Sequence, residues 1–176
     1  MNKIEVLNFG SLNIDHVYQV PHFVAPKETL SCMDYAQFAG GKGLNQSVAL
    51  ARAGVRTAHA GKIGADGAFL EETLKLAGVD TRFLIHGTLP TGHAIIQVDR
   101  EGQNCILLYP GANRAVAREE IDSVLDRLEP GTWILLQNEI NEIPYLMREA
   151  KARGFRIAIN PAPCGPEVSE YPLELA

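Results

Sequence analysis

The chain is short of cysteine, of basic charge and of long apolar runs, and each shortage removes a class of function. Cys32, Cys105 and Cys164 are odd in number and far apart. That excludes a disulfide framework and a CxxC metal site, and it points to a reducing, cytoplasmic compartment. Lys and Arg number 16 against 21 Asp and Glu, a formal charge of −5, and they are scattered without runs. Such a chain has no basic field for nucleic acid. No stretch approaches the roughly 18 apolar residues of a membrane span. The short run from Ile4 to Phe9 lacks the h-region and cleavage site of a signal peptide. The five histidines show no HExxH or similar spacing, so no protein-built metal site is expected. What remains is an ordinary globular composition of 176 residues, 46% apolar and 21% charged, long enough for one sizeable core.

The most informative stretch is residues 39–54, AGGKGLNQSVALARAG. Gly40, Gly41 and Gly43 bracket Lys42 and run straight into a helix whose buried stripe is Leu44, Ser47, Val48 and Ala51. Gly54 stands where a C-cap glycine belongs. A glycine turn feeding a helix gathers free backbone N–H groups and the positive end of the helix dipole at one spot, which suits an anion or sugar hydroxyls. The common nucleotide loops do not fit. A Walker A loop needs GxxxxGK[ST], but Lys42 is followed by Gly43. A GxGxxG fingerprint read from Gly41 would need its third glycine at Gln46.

Elsewhere the pattern predicts strands over Ile4–Gly10, Val17–Val20, Thr29–Phe38, Arg56–Ile63, Thr132–Gln137 and Phe155–Asn160. Residues 93–99 and 104–109 flank the hairpin signal Arg100–Gln103. Helices are predicted over 43–53, Asp66–Ala77, Arg118–Leu128 and Pro144–Arg153. The alternation of strand and helix after residue 40 implies a parallel sheet covered by helices. The short strands at 17–38 and 93–109 stand outside that alternation and permit a small separate sheet.

Several residues are candidates for chemistry. Asn13 and Asp15 lie just past the first strand, at its C-terminal end, where α/β sheets gather ligands. An amide and a carboxylate at i, i+2 share one side and can bind vicinal hydroxyls, or they can form a surface turn. Lys42 either points into a cleft or is a solvated lysine. Asn45, on the first helical turn, either faces a ligand or simply starts the helix. Glu139 closes the apolar strand 133–136, while Glu142 reads as a first-turn helix acid. Asn113 reads first as a helix cap, with an approach to a ligand as the alternative. Asn160, before Pro161, either faces a nucleotide or holds the turn. Ala94 and Leu108 would form an apolar floor, a role generic sheet packing explains as well.

The loop resembles the first signature of the ribokinase-like (PfkB-type) carbohydrate kinases, GGKGxNQAxAxARLG, at Gly40, Gly41, Lys42, Gly43, Asn45, Gln46, Ala49, Ala51, Arg52 and Gly54. Gly10-Ser11-Leu12-Asn13-Ile14-Asp15-His16 is similar to that family's GSxNxDH turn. Gly111-Ala112-Asn113, Gln137-Asn138-Glu139 and Asn160-Pro161-Ala162-Pro163 fall where its ribokinase branch carries GAN, QxE and NPAP. The resemblance implies an α/β, Rossmann-like parallel sheet with an inserted β-lid, at about residues 16–38 and 91–109, that also makes a dimer contact. It implies phosphorylation of a sugar hydroxyl by ATP, with Mg²⁺ and a monovalent cation such as K⁺. Asn13, Asp15, Gly41, Lys42, Asn45 and Glu139 would bind the sugar, with Asn160 on the nucleotide side.

Departures matter as well. The DTxGAGD motif with its catalytic aspartate is not found in residues 1–176, and no NxxE motif follows the NPAP stretch there. The resemblance therefore implies the N-terminal, sugar-binding half, inactive by itself. Tyr109-Pro110 replaces the His-Ala common before GAN, and Leu44 replaces alanine. Ribose or a related pentose leads as substrate, with other sugars and nucleosides behind it. The alternatives are a non-catalytic sugar-binding or dimerisation module, and a dinucleotide enzyme, which the GGKGLNQ loop disfavours.

Overall fold

The structure is a computed structural model, described over residues 3–176. Its body is a five-stranded, all-parallel sheet formed by β1 (Val6–Phe9), β4 (Thr57–Ile63), β5 (Asp80–His86), β8 (Trp133–Gln137) and β9 (Arg156–Asn160), in the order β5-β4-β1-β8-β9. A second, mixed sheet of four strands has the order β3-β2-β6-β7, from β2 (Asn13–Gln19), β3 (Asp34–Gly40), β6 (Gly92–Val98) and β7 (Asn104–Tyr109). Here β2 runs antiparallel to β3 and parallel to β6, and β6 pairs antiparallel with β7.

Four helices flank the body: α1 (Lys42–Arg52), α2 (Ala68–Leu76), α3 (Arg118–Leu125) and α4 (Ile143–Ala152). On one face Leu7, Phe9, Ala58, Ala60, Ile134 and Leu136 pack against Ile121 and Leu125 of α3 and Leu146 and Met147 of α4. On the other, Leu44 of α1 joins Leu70 and Leu74 of α2, with Leu12, Ile14 and Ile63. These apolar stripes recur at helical spacing in sequence and are buried for the usual reason, the removal of apolar surface from water.

The chain leaves β1 for β4 and β5 on one side, then returns to β8 on the other side of β1. The switch in direction therefore falls between β1 and β8, and the crevice outside their C-terminal ends is where ligands bind in open α/β sheets. Residues 10–13 and 137–139 meet there.

Several predicted boundaries move. Asn13 and Asp15 lie inside β2, not in a turn past the first strand; β2 starts four residues earlier than the apolar pattern does. Residues 29–33 are irregular and β3 begins only at Asp34. A 3₁₀ turn at Ala65–Gly67 precedes α2, and α3 stops at Leu125. β5 was not predicted at all. Its sequence, DTRFLIH, alternates poorly, and its position at the sheet edge leaves most of its side chains half-exposed.

Candidate functional site

Gly41 begins the site because its backbone sits at φ 95°, a conformation open to glycine. A methyl group on Gly43 would lie 2.4 Å from Ser11 N and 2.6 Å from the Gly10 carbonyl carbon. The first turn of α1 thus rests directly on the backbone that follows β1, and only glycine permits the approach.

The helix N-terminus is not free. Glu139 Oε2 accepts the Lys42 N–H at 3.0 Å, Ser11 Oγ accepts the Gly43 N–H at 3.2 Å, and the Ser11 carbonyl accepts the Leu44 N–H at 2.9 Å. The first three amides of α1 are therefore spoken for within the chain, contrary to the expectation of a vacant anion-binding end. Glu139 is itself the anion placed at the positive end of the dipole. Ser11 Oγ donates to Glu139 Oε2 at 2.5 Å, and Lys42 Nζ donates to Oε1 at 2.9 Å. The Glu139 side chain is 9% exposed against 40% for Lys42, so the lysine is the solvent-side lid of the pair.

These contacts set the charge. Burial pushes the Glu139 carboxyl up, but the hydrogen bonds from Ser11 and from the Lys42 side chain and amide outweigh it and hold the group below the usual carboxylate range. Asp15 is pushed the other way, first by burial and then by the neighbouring Glu139 charge, with His16 opposing. Two carboxylates share one site with their titrations moved apart.

Asn13 is buried and held in place. Its Oδ1 accepts from Asn113 Nδ2 at 2.8 Å. Asn113 also clamps the Leu12 peptide on both sides, accepting its N–H at 3.0 Å and donating to its carbonyl at 3.1 Å. Asn113 is thus an orienting residue for Asn13 and not the helix cap predicted; α3 starts five residues later. One small cavity is lined by Asn13, Leu108, Pro110, Asn113, Arg114, Asn138, Glu139 and Pro163. Ala94, buried, pairs across the small sheet with Asp15 and Leu108.

Of the predicted residues, Asn13 and Glu139 line this cavity; Lys42 bonds Glu139, Gly41 packs on the backbone of Ser11 and Asn13, and Asp15 feels the Glu139 charge. Asn45 sits exposed on the first turn of α1 beside it. Asn160 does not join them. It is exposed, and its Oδ1 accepts the Ala162 N–H at 3.2 Å, so it holds the turn. Glu142 pairs with Arg118 at 2.7 Å instead of with Glu139. Two contributors went unassigned in the sequence: Ser11, fully buried beneath Glu139, and Asn138, whose Nδ2 reaches the Pro163 carbonyl at 2.5 Å and Glu167 at 2.7 Å. Ser11 stands inside GSLNIDH, so the motif itself was the signal.

The comparisons with known proteins agree with this fold. Residues 3–152 match the pfkB family carbohydrate kinase model. A ribokinase of Staphylococcus aureus is 37% identical over 92% of this chain and 55% of its own length. The ribokinase of Cryptococcus neoformans, solved with ADP, superposes with a TM-score of 0.82 at 34% identity, over 98% of this chain and 56% of that one. The Arabidopsis thaliana ribokinase, solved with ribose and ATP, gives 0.79 at 25% identity, over 92% and 54%. The chain thus spans about half the length of the relatives it matches. Motif, fold and crevice agree: the chain belongs to the pfkB family of carbohydrate kinases.

Proposed function

We propose that this chain carries the sugar-binding part of an ATP-dependent kinase that phosphorylates a hydroxyl of ribose or a related pentose. The observation that supports this most is the convergence of Asn13, Asp15, Lys42 and Glu139 at the β1/β8 switch point, two buried or half-buried carboxylates and an amide within reach of one small crevice. Asp15 and Glu139 accept hydrogen bonds from sugar hydroxyls, Asn13 donates or accepts, and Gly41, Lys42 and Asn45 close the remaining side. Such a set fixes which hydroxyl faces the phosphoryl donor, and orientation is most of what phosphoryl transfer asks of a protein. The relative solved with ribose and ATP supports the same substrate pair.

The residues of this chain do not by themselves fit a nucleoside triphosphate or its cations. The amides that would cradle phosphates at α1 are occupied by Glu139 and Ser11. ATP, Mg²⁺, a monovalent cation and the base that activates the hydroxyl would be held by the part of the relatives' length that this chain does not span. The small sheet is proposed as the lid over the sugar and as the contact of a homodimer, on the strength of the exposed apolar side chains on its Asp15 face: Phe38, Ile106 and Leu108 are 54%, 55% and 45% exposed. The alternative, a sugar-binding or dimerisation module without catalysis, draws on the same face.

The test is calorimetric titration of the chain with D-ribose beside Asp15→Ala. Saturable binding to the parent, weakened at least about a hundredfold in the variant, is expected for loss of a half-buried charged hydrogen-bond partner. A folded parent that gives no heat with D-ribose, deoxyribose or a nucleoside would remove the sugar site.

A further inference from the structure

The large sheet is not uniformly apolar beneath α1. On that face Asn8 of β1, His59 of β4 and Gln137 of β8 are each fully removed from solvent, and Ser47 of α1 sits among them, equally buried. The opposite face of the same strands is aliphatic and aromatic. A central parallel strand is normally apolar on both faces, and buried polar groups cost stability unless they are partnered. The family signature carries alanine at position 47, where this chain has serine.

The four side chains form one connected chain of hydrogen bonds. Gln137 Nε2 donates to Asn8 Oδ1 at 2.9 Å and to Gln46 Oε1 at 2.6 Å. Asn8 Nδ2 donates to Ser47 Oγ at 2.9 Å and to the Gly43 carbonyl at 2.7 Å. Ser47 Oγ lies 2.7 Å from His59 Nδ1. With Asn8 donating to the serine oxygen, the hydroxyl proton is available to His59 Nδ1, and the imidazole proton then belongs on Nε2. That atom has no well-formed partner, yet the Gly10 carbonyl is the acceptor it faces. Both crowd the space in front of Gly61, where a methyl would lie 2.5 Å from Gly10 O and 3.0 Å from His59 Nε2.

Asn8 bonds the Gly43 carbonyl and His59 Nε2 faces the Gly10 carbonyl, so the network touches both backbone segments that build the candidate site. Gly10 leads into Ser11 and Asn13; Gly43 follows Lys42. We infer that Asn8, Ser47, His59 and Gln137 are a positioning network, in which His59 carries its proton on Nε2 and locks the Gly10 turn to the first turn of α1, so that Asn13 and Asp15 keep a fixed distance from Lys42 and Glu139. This rests on the sugar-site reading, and it adds the device that holds that site in register. It is a positioning role, since none of the four reaches the crevice surface.

The experiment uses the full chain labelled with ¹⁵N. Two-bond proton–nitrogen correlations of His59 should show the Nε2–H tautomer; an Nδ1–H pattern would overturn the inference. Ser47→Ala is then compared with Val124→Ala, a buried substitution on the far face of the sheet that controls for lost stability. Ser47→Ala should speed exchange of the Leu44 amide, which is bonded to the Ser11 carbonyl, about tenfold more than Val124→Ala does, and weaken D-ribose by about tenfold. Equal effects of the two variants on Leu44 exchange would sink the positioning role. If the parent chain binds neither D-ribose, deoxyribose nor a nucleoside, the sugar reading falls, while the tautomer and the Leu44 exchange still decide the network.

Discussion

Asp15 and Glu139 belong to one site, yet their surroundings move their titrations in opposite directions. Glu139 is the fixed anion, tied to Ser11, Lys42 and the helix end. Asp15 makes no such ties and offers both oxygens to a ligand, while Glu139 offers only the lone pairs that its partners leave. His59 gives a separate, testable signature. Burial lowers its pKa to about 4, against an ordinary value of 6.5, with the Gly10 carbonyl opposing. The unfolded chain therefore binds this proton more readily than the folded one. Stability from keeping His59 neutral is full above about pH 6.5 and is lost as pH falls toward 4, by about 3 kcal/mol in total. Urea unfolding of the parent and of His59→Gln across that window should show the slope in the parent and a flatter profile in the variant. Parallel profiles would mean that His59 is not buried as a neutral ring.

At the scale of elements, the turn between β3 and α1 is the joint on which the site depends. Gly43→Ala places a methyl against backbone atoms of Gly10 and Ser11 that cannot move aside without displacing β1. Overpacking there should cost about 3 kcal/mol in denaturant unfolding, with loss of sugar binding. A midpoint like the parent's would show that α1 rests more loosely on that backbone. This joint was legible in the sequence, because glycine at three of four positions before an amphipathic stripe leaves few other readings. Asn13 and Asp15 were legible as a pair, but their strand was not, since polar residues at both positions hide the start of β2. Ser11 meeting Glu139 across 128 residues, and Asn113 clamping Leu12 across 101, depend on how the sheets are brought together. No local pattern carries that information. His59 reads in sequence as one of five unremarkable histidines, and only the strand register beside Asn8 places it under α1.

At the scale of the molecule, the small sheet is the part most exposed for its composition. All six residues of β7 are exposed, four of them large and apolar. Phe38, Ile106 and Leu108 lie on the face of this sheet that carries Asp15, as the strand pairing requires. A second copy of the chain is the proposed cover. Sedimentation velocity should find a dimer for the parent and a monomer for Ile106→Glu, which buries a charge in the contact. A monomeric parent would remove that contact. The three free cysteines have a further use. Cys105 belongs to β7 of the small sheet, Cys32 to the connection between β2 and β3, and Cys164 follows β9 on the body, all three exposed. A dye at Cys105 and another at Cys164, with Cys32 replaced by serine, would make energy transfer between them a ruler for the angle of sheet to body. Opening and closing over a bound sugar could then be followed through thiols the chain already has.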